Sequence, residues 1–316
     1  VYLAPQRALL AALAALLVTD LALQLGLPRV LQTFIDSATG GGALRALLWI
    51  GVAYLGVAVG QNLTRVGWQY VAQQIGLIAT NRIRADLTRH CLALDMGFHN
   101  ARTPGELIER VDGDVAKLEN FLSQFVVKVL LNGLLLVGVV GLLFMLDWRV
   151  AVPSLASVAV AMGCAAALSG PTARYSAKER QASAELFGLL EERLSGTEDI
   201  RANGAVAYAL RRHIERSRVL FRVGVIRGLF GVLSWRSLST SITIGSVIAL
   251  TVGALLALDG ALTVGQVYLI FAYTSMLEHP VEELVRQLDD LQQATASMSR
   301  VQQLFATAPQ IVDAER

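Results

Sequence analysis

Long apolar segments restrict the possible folds of this chain more than any other feature. Several of them approach about 20 residues, the length of a helix that crosses the hydrocarbon core of a bilayer. Hydrophobic residues make up 54% of the 316 positions and charged residues 16%, with a mean hydropathy of +0.53. Water-soluble domains are far less apolar. The sequence therefore predicts an all-α membrane protein with several crossings.

Polar or flexible breaks divide the chain into six predicted transmembrane helices. Two long polar returns, residues 68–123 and 172–228, alternate with short turns at Gly40–Gly42, Asp147–Arg149 and Asp259–Gly260. The predicted spans belong to one transmembrane domain at residues 1–308. They are about 8–36, 44–67, 124–146, 150–171, 229–258 and 263–284.

Some of these helices are expected to be much longer than the membrane is thick. No strong helix breaker occurs between Leu44 and Asp95, so one helix of roughly 75 Å is expected, against a hydrocarbon core of about 30 Å. Its later part is charged, as is the sequence from Arg174 to Arg201. We therefore expect helical stalks that leave the membrane and extend into water.

Capping residues mark two further helix starts. Thr103 can cap a helix with its hydroxyl, Pro104 suits the first helical position because its missing N–H would be unpaired there, and Glu106 follows three residues after the cap. Thr263 and Gln266 have the same spacing at the start of the sixth span. A short helix is therefore expected between the second and third spans.

The distribution of basic residues predicts the orientation. Residues 82–117 hold six of the 27 lysines and arginines and residues 172–227 hold eleven, whereas the short turns carry only Arg45 and Arg149. Basic residues accumulate on the cytoplasmic side of membrane proteins. The long returns and both termini are therefore predicted to be cytoplasmic.

The sequence argues against a metal site and a nucleic-acid partner. Asp112 and Asp114 have the spacing of a calcium-loop opening, but Ala116 takes the next ligand position, so helix capping explains the two carboxylates better. The basic residues form no single patch with interleaved aromatic residues, as a nucleic-acid surface would. The histidines lie on separate segments without paired zinc spacing: His90, His99, His213 and His279.

Three stretches resemble a known family. They read TPGELIERVDGDV at residues 103–115, ERLSGTEDIRA at 192–202, and a segment at 262–305 that begins LTVGQVYLIF and ends SMSRVQQLF. Together with the six predicted helices, they resemble the transmembrane domain of an ATP-binding cassette (ABC) exporter of the six-helix, type IV kind. The resemblance covers essentially the whole chain.

The resemblance implies two short coupling helices that dock on nucleotide-binding domains, the second on the domain of a partner subunit. The first would contain Arg102, Thr103, Pro104, Gly105, Glu106, Leu107 and Glu109. The second, at about residues 202–209, would contain Ala202, Asn203, Gly204, Val206 and Tyr208. The family often has an aromatic and an acidic residue in the second helix, where this chain places Asn203 and Val206.

The sequence contains no phosphate-binding loop. Such a loop needs the arrangement GxxxxGK[ST], whose backbone N–H groups and lysine contact the phosphates, and no Gly–Lys pair occurs in the chain. ATP and Mg²⁺ are therefore expected only in nucleotide-binding domains outside these 316 residues. Residues 309–316 would begin a linker to such a domain in a longer chain, and a separately encoded ATPase subunit is the alternative.

Polar residues at predicted membrane depth are candidates for a substrate path, because an unpaired charge in hydrocarbon is unfavourable by at least about 2.5–3.5 kcal/mol. Two interpretations of these residues are open: they line an inward-facing cavity, or they pair with one another between helices. The candidates are Asp20, Gln24, Arg29, Glu278 and His279.

The sequence thus favours the transmembrane part of an ATP-driven exporter that works by alternating access. The expected partners are nucleotide-binding domains and a second transmembrane domain, in a homodimer or a heterodimer. The expected substrate is a drug-like molecule, a lipid or a peptide, and the arginine-rich composition suggests a bacterial plasma membrane. An importer with the same fold, a non-transporting scaffold or sensor, and an ion-driven transporter are the alternatives.

Overall fold

The described part of the chain is helical, as predicted. The computed structural model describes residues 4–308, apart from the side chains of residues 4, 288–290, 292 and 293. The predicted linker at residues 309–316 lies outside the described residues. The helices are α1 (Arg7–Thr39), α2 (Leu44–Leu92), α3 (Met96–Asn100), α4 (Pro104–Ile108), α5 (Asp114–Asn120), α6 (Val126–Leu146), α7 (Trp148–Ser195), α8 (Thr197–Ala202), α9 (Val206–Leu258), α10 (Val264–Ser275) and α11 (Glu278–Ala306).

The described residues form two compact units. Unit 1 contains the residues up to 154 and those from 246 onwards, and unit 2 contains residues 155–245. Unit 1 therefore includes α1 to α6, α10 and α11, with the first turns of α7 and the last turns of α9. Unit 2 includes most of α7 and α9 and the whole of α8.

Five helical segments are long and apolar enough to cross a membrane: α1, α2, the continuous segment Pro104–Leu146, α7 and α9. At 1.5 Å per residue, the 49 residues of α2 make a helix of about 75 Å. This is more than twice the roughly 30 Å of a hydrocarbon core. The chain is a multi-pass membrane protein, and the prediction of helices longer than the membrane is confirmed.

The sixth predicted span is interrupted, which corrects the expectation of one helix over residues 263–284. α10 ends at Ser275 and α11 begins at Glu278. Pro280 explains the interruption, because its nitrogen has no hydrogen to donate to the carbonyl of Met276. No single helix of spanning length covers this segment.

The helix of the third predicted span begins earlier than the expected start near Val115. It runs without a break from Pro104 to Leu146. Two π-helical turns, Glu109–Gly113 and Phe121–Phe125, join α4 to α5 and α5 to α6. Because a π turn is wider than an α turn, each one rotates the faces of the helix that follows it.

An apolar core holds α1, α2 and α6 together in unit 1. Leu13 of α1 and Val127 of α6 are both buried in it. The contribution of α2 is Trp68, Ala72 and Ile75. Trp68 is 7% exposed and Ala72 is 2% exposed. This part of α2 is therefore enclosed, whereas the N-terminal half of α2 is not.

Asp36 links the C-terminal end of α1 to the N-terminal end of α10. Its carboxylate accepts hydrogen bonds from the Thr263 hydroxyl at 3.0 Å and from the Gly265 N–H at 2.8 Å. A carboxylate is favoured there because the first N–H groups of a helix have no helical partner. Thr263 also forms the predicted capping box with Gln266, which is confirmed.

Replacing Gly265 by alanine should break this link. A Cβ at Gly265 would lie 2.6 Å from the Asp36 carboxylate, so we expect the free energy of unfolding to fall by about 1 kcal/mol. Thermal unfolding of the purified protein measures the change. Gly56→Ala is the control, since a Cβ there meets nothing within 4 Å and alanine favours the helix. Equal losses in both variants would contradict the role of Asp36.

Candidate coupling site

The short helix α4 is capped as predicted. Thr103 has an extended backbone, and its hydroxyl accepts a hydrogen bond from the Glu106 N–H at 3.2 Å. The helix occupies Pro104–Ile108, with Arg102 and Glu109 directly flanking the cap and the last turn. The predicted start of this helix is therefore confirmed, but it does not end as a separate short helix, since it continues into the segment Pro104–Leu146. Its docking role stays a prediction.

Glu106 is the centre of the charges around α4. The guanidinium of Arg110 donates a hydrogen bond to its carboxylate at 2.8 Å, and the Nε atom of Arg102 lies 3.6 Å from the same oxygen. Arg102 also lies over the ring of Phe98, 4.1 Å from the centroid. These pairs at helical spacing stabilise the first turns of the continuous segment Pro104–Leu146.

The surface of α4 is available to another domain. Its first residues, Pro104 and Gly105, are exposed, and Leu107 is half-buried. Ile108 is 66% exposed. The helix thus presents small and apolar groups outward, while Glu106 is occupied by its two arginine partners.

An ion pair between a buried carboxylate and a partly exposed guanidinium joins α5 to α11. The carboxylate of Asp114 accepts hydrogen bonds from Arg300 Nε at 2.8 Å and Arg300 Nη2 at 2.6 Å, which is a bidentate arrangement. The Ser297 hydroxyl donates a third hydrogen bond at 3.0 Å. Asp114 is only 1% exposed and Ser297 is fully buried. The carboxylate is therefore held by α11 and screened from water.

These partners determine how Asp114 titrates. The hydrogen bond from Arg300 holds the pKa of the Asp114 carboxyl below its ordinary value, with burial acting in the opposite direction and Ser297 and Lys117 assisting Arg300. The same hydrogen bond raises the pKa of Arg300. The charged forms of both groups are thus favoured in the folded protein.

An apolar core joins α5 and α11 to α2. Three of its side chains, Leu87, Val115 and Leu304, are at most 1% exposed. Its members are Ile83, Leu87, Cys91, Leu94, Val115, Leu118, Val301 and Leu304. We call the three packed segments, residues 83–94, α5 and residues 297–306, the coupling stalk. Asp114 and Arg300 directly precede two members of this core, so the ion pair and the core fix the same contact.

His90 attaches the end of α11 to α2. Its Nε2 atom lies 3.0 Å from the carbonyl oxygens of both Leu304 and Thr307. The imidazole also packs against Phe305, with ring centroids 5.6 Å apart. Carbonyls in the last turn of a helix lack helical donors, so an N–H at Nε2 supplies a partner where α11 ends.

The interpretation of Asp112 and Asp114 as helix caps is wrong. Both residues lie within helical backbone, and a capping side chain needs a residue outside the helix. Asp112 instead pairs with Arg84 of α2 at 3.0 Å, and Arg84 also lies 3.6 Å from Glu119. The two carboxylates thus contact two different helices, since Asp114 faces Arg300 of α11.

The second short helix also lies elsewhere than predicted. α8 ends at Ala202, and Gly204 turns the chain with a φ of +62°. The N–H of Ala205 bonds to the carbonyl of Ile200 at 2.8 Å, the hydrogen bond of a Schellman cap. Residues 202–209 therefore straddle a turn, because a glycine in the left-handed region ends the helix that precedes it.

Within unit 2, the predicted docking residues surround this turn. Asn203 and Gly204 are exposed in the turn itself. Val206 and Tyr208 are each 56% exposed in the first turn of α9. The Arg193 guanidinium lies 5.8 Å from the centroid of the Tyr208 ring, so a contact crosses from α7 to α9 at the turn.

Ion pairs hold the two long helices of unit 2 together. Arg216 lies 2.8 Å from Glu185, and Arg227 lies 3.5 Å from Glu179. The residue numbers rise along α9 as they fall along α7, so the two helices are antiparallel. The second polar return therefore forms the tip of an antiparallel helical hairpin.

The five candidate cavity residues differ in burial, and one of them, Arg29, lines the groove described next. Arg29 lines a groove between α1 and α6. Asp20 is fully buried, Gln24 and Glu278 are half-buried and His279 is exposed, and none of these four lines that groove. Their role in a substrate path stays a prediction.

Sequence reasoning missed Ser297, Arg300 and His90. Asp114 and Arg300 are 186 positions apart, and no local spacing connects them. A partial signal exists on α11, where Ser297, Arg300 and Leu304 recur three and four positions apart and so share one helical face. This face predicts that α11 packs against a segment with both polar and apolar side chains, but it does not identify that segment.

The fold and the coupling stalk define a multi-pass helical membrane protein in which a short capped helix is tied to helices of spanning length. Residues 9–281 match the family described as the ABC transporter transmembrane region. The chain belongs to this family, which confirms the resemblance found in the sequence.

Named relatives of the chain are longer. YfiC of Bacillus subtilis, an uncharacterized ABC transporter ATP-binding protein, is 21% identical over 300 residues, which cover 95% of this chain and 50% of YfiC. A Staphylococcus aureus protein, provisionally named as a multidrug export ATP-binding/permease protein, is 24% identical over 213 residues. These cover 67% of this chain and 37% of that protein. The chain thus spans half or less of the length of these relatives.

Replacing Asp114 by asparagine should lower the free energy of unfolding by about 1–3 kcal/mol at neutral pH, because Arg300 loses its charged partner. Since the folded protein depresses the pKa of Asp114, the advantage of the wild type is present above about pH 4. It is lost as the pH falls through the lowered pKa. Thermal unfolding over a pH series measures both effects.

Asp112→Asn is the matched control for this measurement. Asp112 also pairs with an arginine, but its side chain is 70% exposed, so the loss should stay below about 1 kcal/mol. A loss as large as that of Asp114→Asn would show that the burial of Asp114 is irrelevant. An unchanged pH dependence in Asp114→Asn would contradict the assignment of the titrating group.

Proposed function

We propose that this chain is the transmembrane part of an ATP-driven exporter. The observation that carries the proposal is the position of α4, a capped and exposed helical segment that continues through α5 of the coupling stalk into a helix of spanning length, Pro104–Leu146. A helix placed in this way can receive a push from another domain and pass it to the membrane. The relative named for multidrug export, whose name also includes ATP binding, supports the direction of transport and the source of energy.

The proposed mechanism is alternating access in a dimer of transmembrane domains. Nucleotide-binding domains, which would hold ATP and Mg²⁺, close on binding ATP and move the docked α4. Asp114 and Arg300 pass this movement from α5 to α11, since the bidentate pair resists sliding between the two helices. ATP must bind more tightly to the outward-open state for the cycle to run. The cargo is a drug-like molecule, a lipid or a peptide.

The second docking surface is proposed at the turn between α8 and α9. Asn203, Gly204, Val206 and Tyr208 supply its exposed groups. These four residues carry no charge, but the adjoining α8 exposes Glu198, Asp199 and Arg201. A nucleotide-binding domain of the partner subunit that combines apolar contacts with charged ones fits this surface best.

Replacing Ile108 by aspartate should uncouple transport from ATP. The change puts a charge into the centre of the proposed contact while leaving the buried stalk untouched, because Ile108 is 66% exposed. We expect ATP-dependent transport to fall about ten-fold, with unchanged thermal unfolding. Transport into vesicles by the assembly that contains nucleotide-binding domains is the measurement.

Val219→Asp is the control, since Val219 is 47% exposed on α9 and lies outside both the coupling stalk and the proposed contact. It should transport as the wild type does. An Ile108→Asp variant with normal transport would exclude α4 as a docking helix, and an equal defect in both variants would show only a general effect of added charge.

The proposed orientation places α4 in the cytoplasm and the turn between α1 and α2 outside. It rests on the 17 basic residues of the two long returns and on the tendency of such residues to stay inside. The link between Asp36 and α10 would then lie at the outer surface. Both termini would be cytoplasmic, in a bacterial plasma membrane.

Cysteine labelling tests this orientation. In a background of Cys91→Ala and Cys164→Ala, a membrane-impermeant maleimide added to intact cells should label Ala43→Cys and not Ala101→Cys. Both positions are exposed, so burial does not bias the comparison. Both variants should react after the cells are opened. Labelling of Ala101→Cys in intact cells would reverse the orientation.

A further inference from the structure

The groove between α1 and α6 has a composition that suits one kind of ligand. Its volume is about 420 Å³, within the range of roughly 300–1,000 Å³ for small-molecule sites. Ala22, Leu25 and Gly26 form part of one wall, and Gly138 and Gly141 form part of the other. Among the described residues, Arg29 is the only charged one that lines it. The groove is thus apolar along its length with one permanent cation.

Glycines create this space. A Cβ at Gly138 would lie 2.9 Å from the Leu25 side chain, so the two helices are in close contact there. A Cβ at Gly26 or at Gly141 would meet nothing within 4 Å. The missing side chains at these two positions therefore leave an open channel beside a tight helix contact.

Arg29 lacks an anionic partner within the described residues. Its described polar contact is with Tyr273, whose hydroxyl oxygen accepts a hydrogen bond from the Arg29 guanidinium and whose O–H donates to the carbonyl of Leu25 at 2.9 Å. Tyr273 is neutral, so this contact supplies no counter-charge. Arg29 is exposed and lies about 10 Å along α1 from Asp36. A guanidinium at this depth is unfavourable without a counter-charge, and a carboxylate or phosphate can accept two of its hydrogen bonds.

We infer that this groove binds an anionic amphiphile with a single alkyl chain, taken from the bilayer. The chain lies against the glycines of α1 and α6, and the anionic head pairs with Arg29. The charge complementarity selects an acidic head over a neutral one, and a volume of about 420 Å³ suits a single chain. The inference concerns binding alone and does not depend on ATP or on transport.

Titration of the purified chain with oleate and with oleyl alcohol, followed by native mass spectrometry, tests the inference. The two probes share one chain and differ in the charge of the head group. We expect oleate to bind at least about ten-fold more tightly, as the loss of a charged hydrogen bond predicts. Arg29→Gln should remove this preference, and Arg29→Lys should keep most of it.

Two glycine variants test the place of binding. Gly141→Leu should fill the groove and weaken the binding of both probes by about ten-fold or more. Gly133→Leu is its control, because Gly133 lies on the same helix, has the same free space around its Cβ position and does not line the groove. It should bind both probes as the wild type does. Thermal unfolding of each variant verifies that it is folded.

Three outcomes would overturn the inference. They are equal affinity of the wild type for oleate and oleyl alcohol, unchanged oleate preference in Arg29→Gln, and equal effects of the two glycine variants. If Arg29→Gln does not fold, the probe comparison on the wild type and the glycine pair decide the question. A failure of ATP-dependent transport would affect the proposed function and leave this inference standing.

Discussion

The bidentate contact between Asp114 and Arg300 is the constraint on which the rest of the coupling stalk depends. Two parallel hydrogen bonds specify both distance and direction, whereas the neighbouring aliphatic contacts tolerate small shifts. A slide of one helical turn between α5 and α11 would preserve apolar burial but leave the buried carboxylate without its partners. The free-energy difference between these arrangements is a few kcal/mol, so the ion pair selects one register.

This register matters because α5 lies between two π turns. The turn at Glu109–Gly113 separates it from α4, and the turn at Phe121–Phe125 separates it from α6. Each π turn interrupts the regular hydrogen-bond pattern, so either one absorbs rotation at a smaller cost than a regular α-helical turn. The stalk thus fixes the short middle segment to α11 and leaves a point of adjustment on each side of it.

The sequence was sufficient for features that depend on neighbouring residues. The cap at Thr103, the capping box at Thr263 and the unbroken helix from Leu44 follow from local hydrogen-bond chemistry and apolar length, and the structure confirms them. The family also could be recognised from three short stretches. Features that depend on distant residues could not be found in this way: Asp114 was interpreted as a local cap because its partner is 186 positions away.

Two further differences between the predicted and the observed helix boundaries have local causes. One helix is predicted over residues 263–284, but Pro280 coincides with an interruption, since the carbonyl of Met276 loses its helical donor. The second short helix is predicted at residues 202–209, but α8 ends at Ala202 because Gly204 takes the left-handed conformation. In both cases the backbone requirement of one residue decided the helix boundary, and apolar periodicity carried no information about it.

The interruption between α10 and α11 lies between two fixed points. At one end, Asp36 holds the start of α10 against α1, and at the other, Arg300 and His90 hold the last turns of α11 against α5 and α2. A change in the angle between the two helices would break fewer hydrogen bonds at Met276–Leu277 than within either helix, because Pro280 has already removed one donor there. Movement of the coupling stalk relative to the link at Asp36 is therefore favoured at this position, close to Glu278 and His279. Two of the five cavity candidates, Glu278 and His279, thus lie at the joint between the two fixed ends.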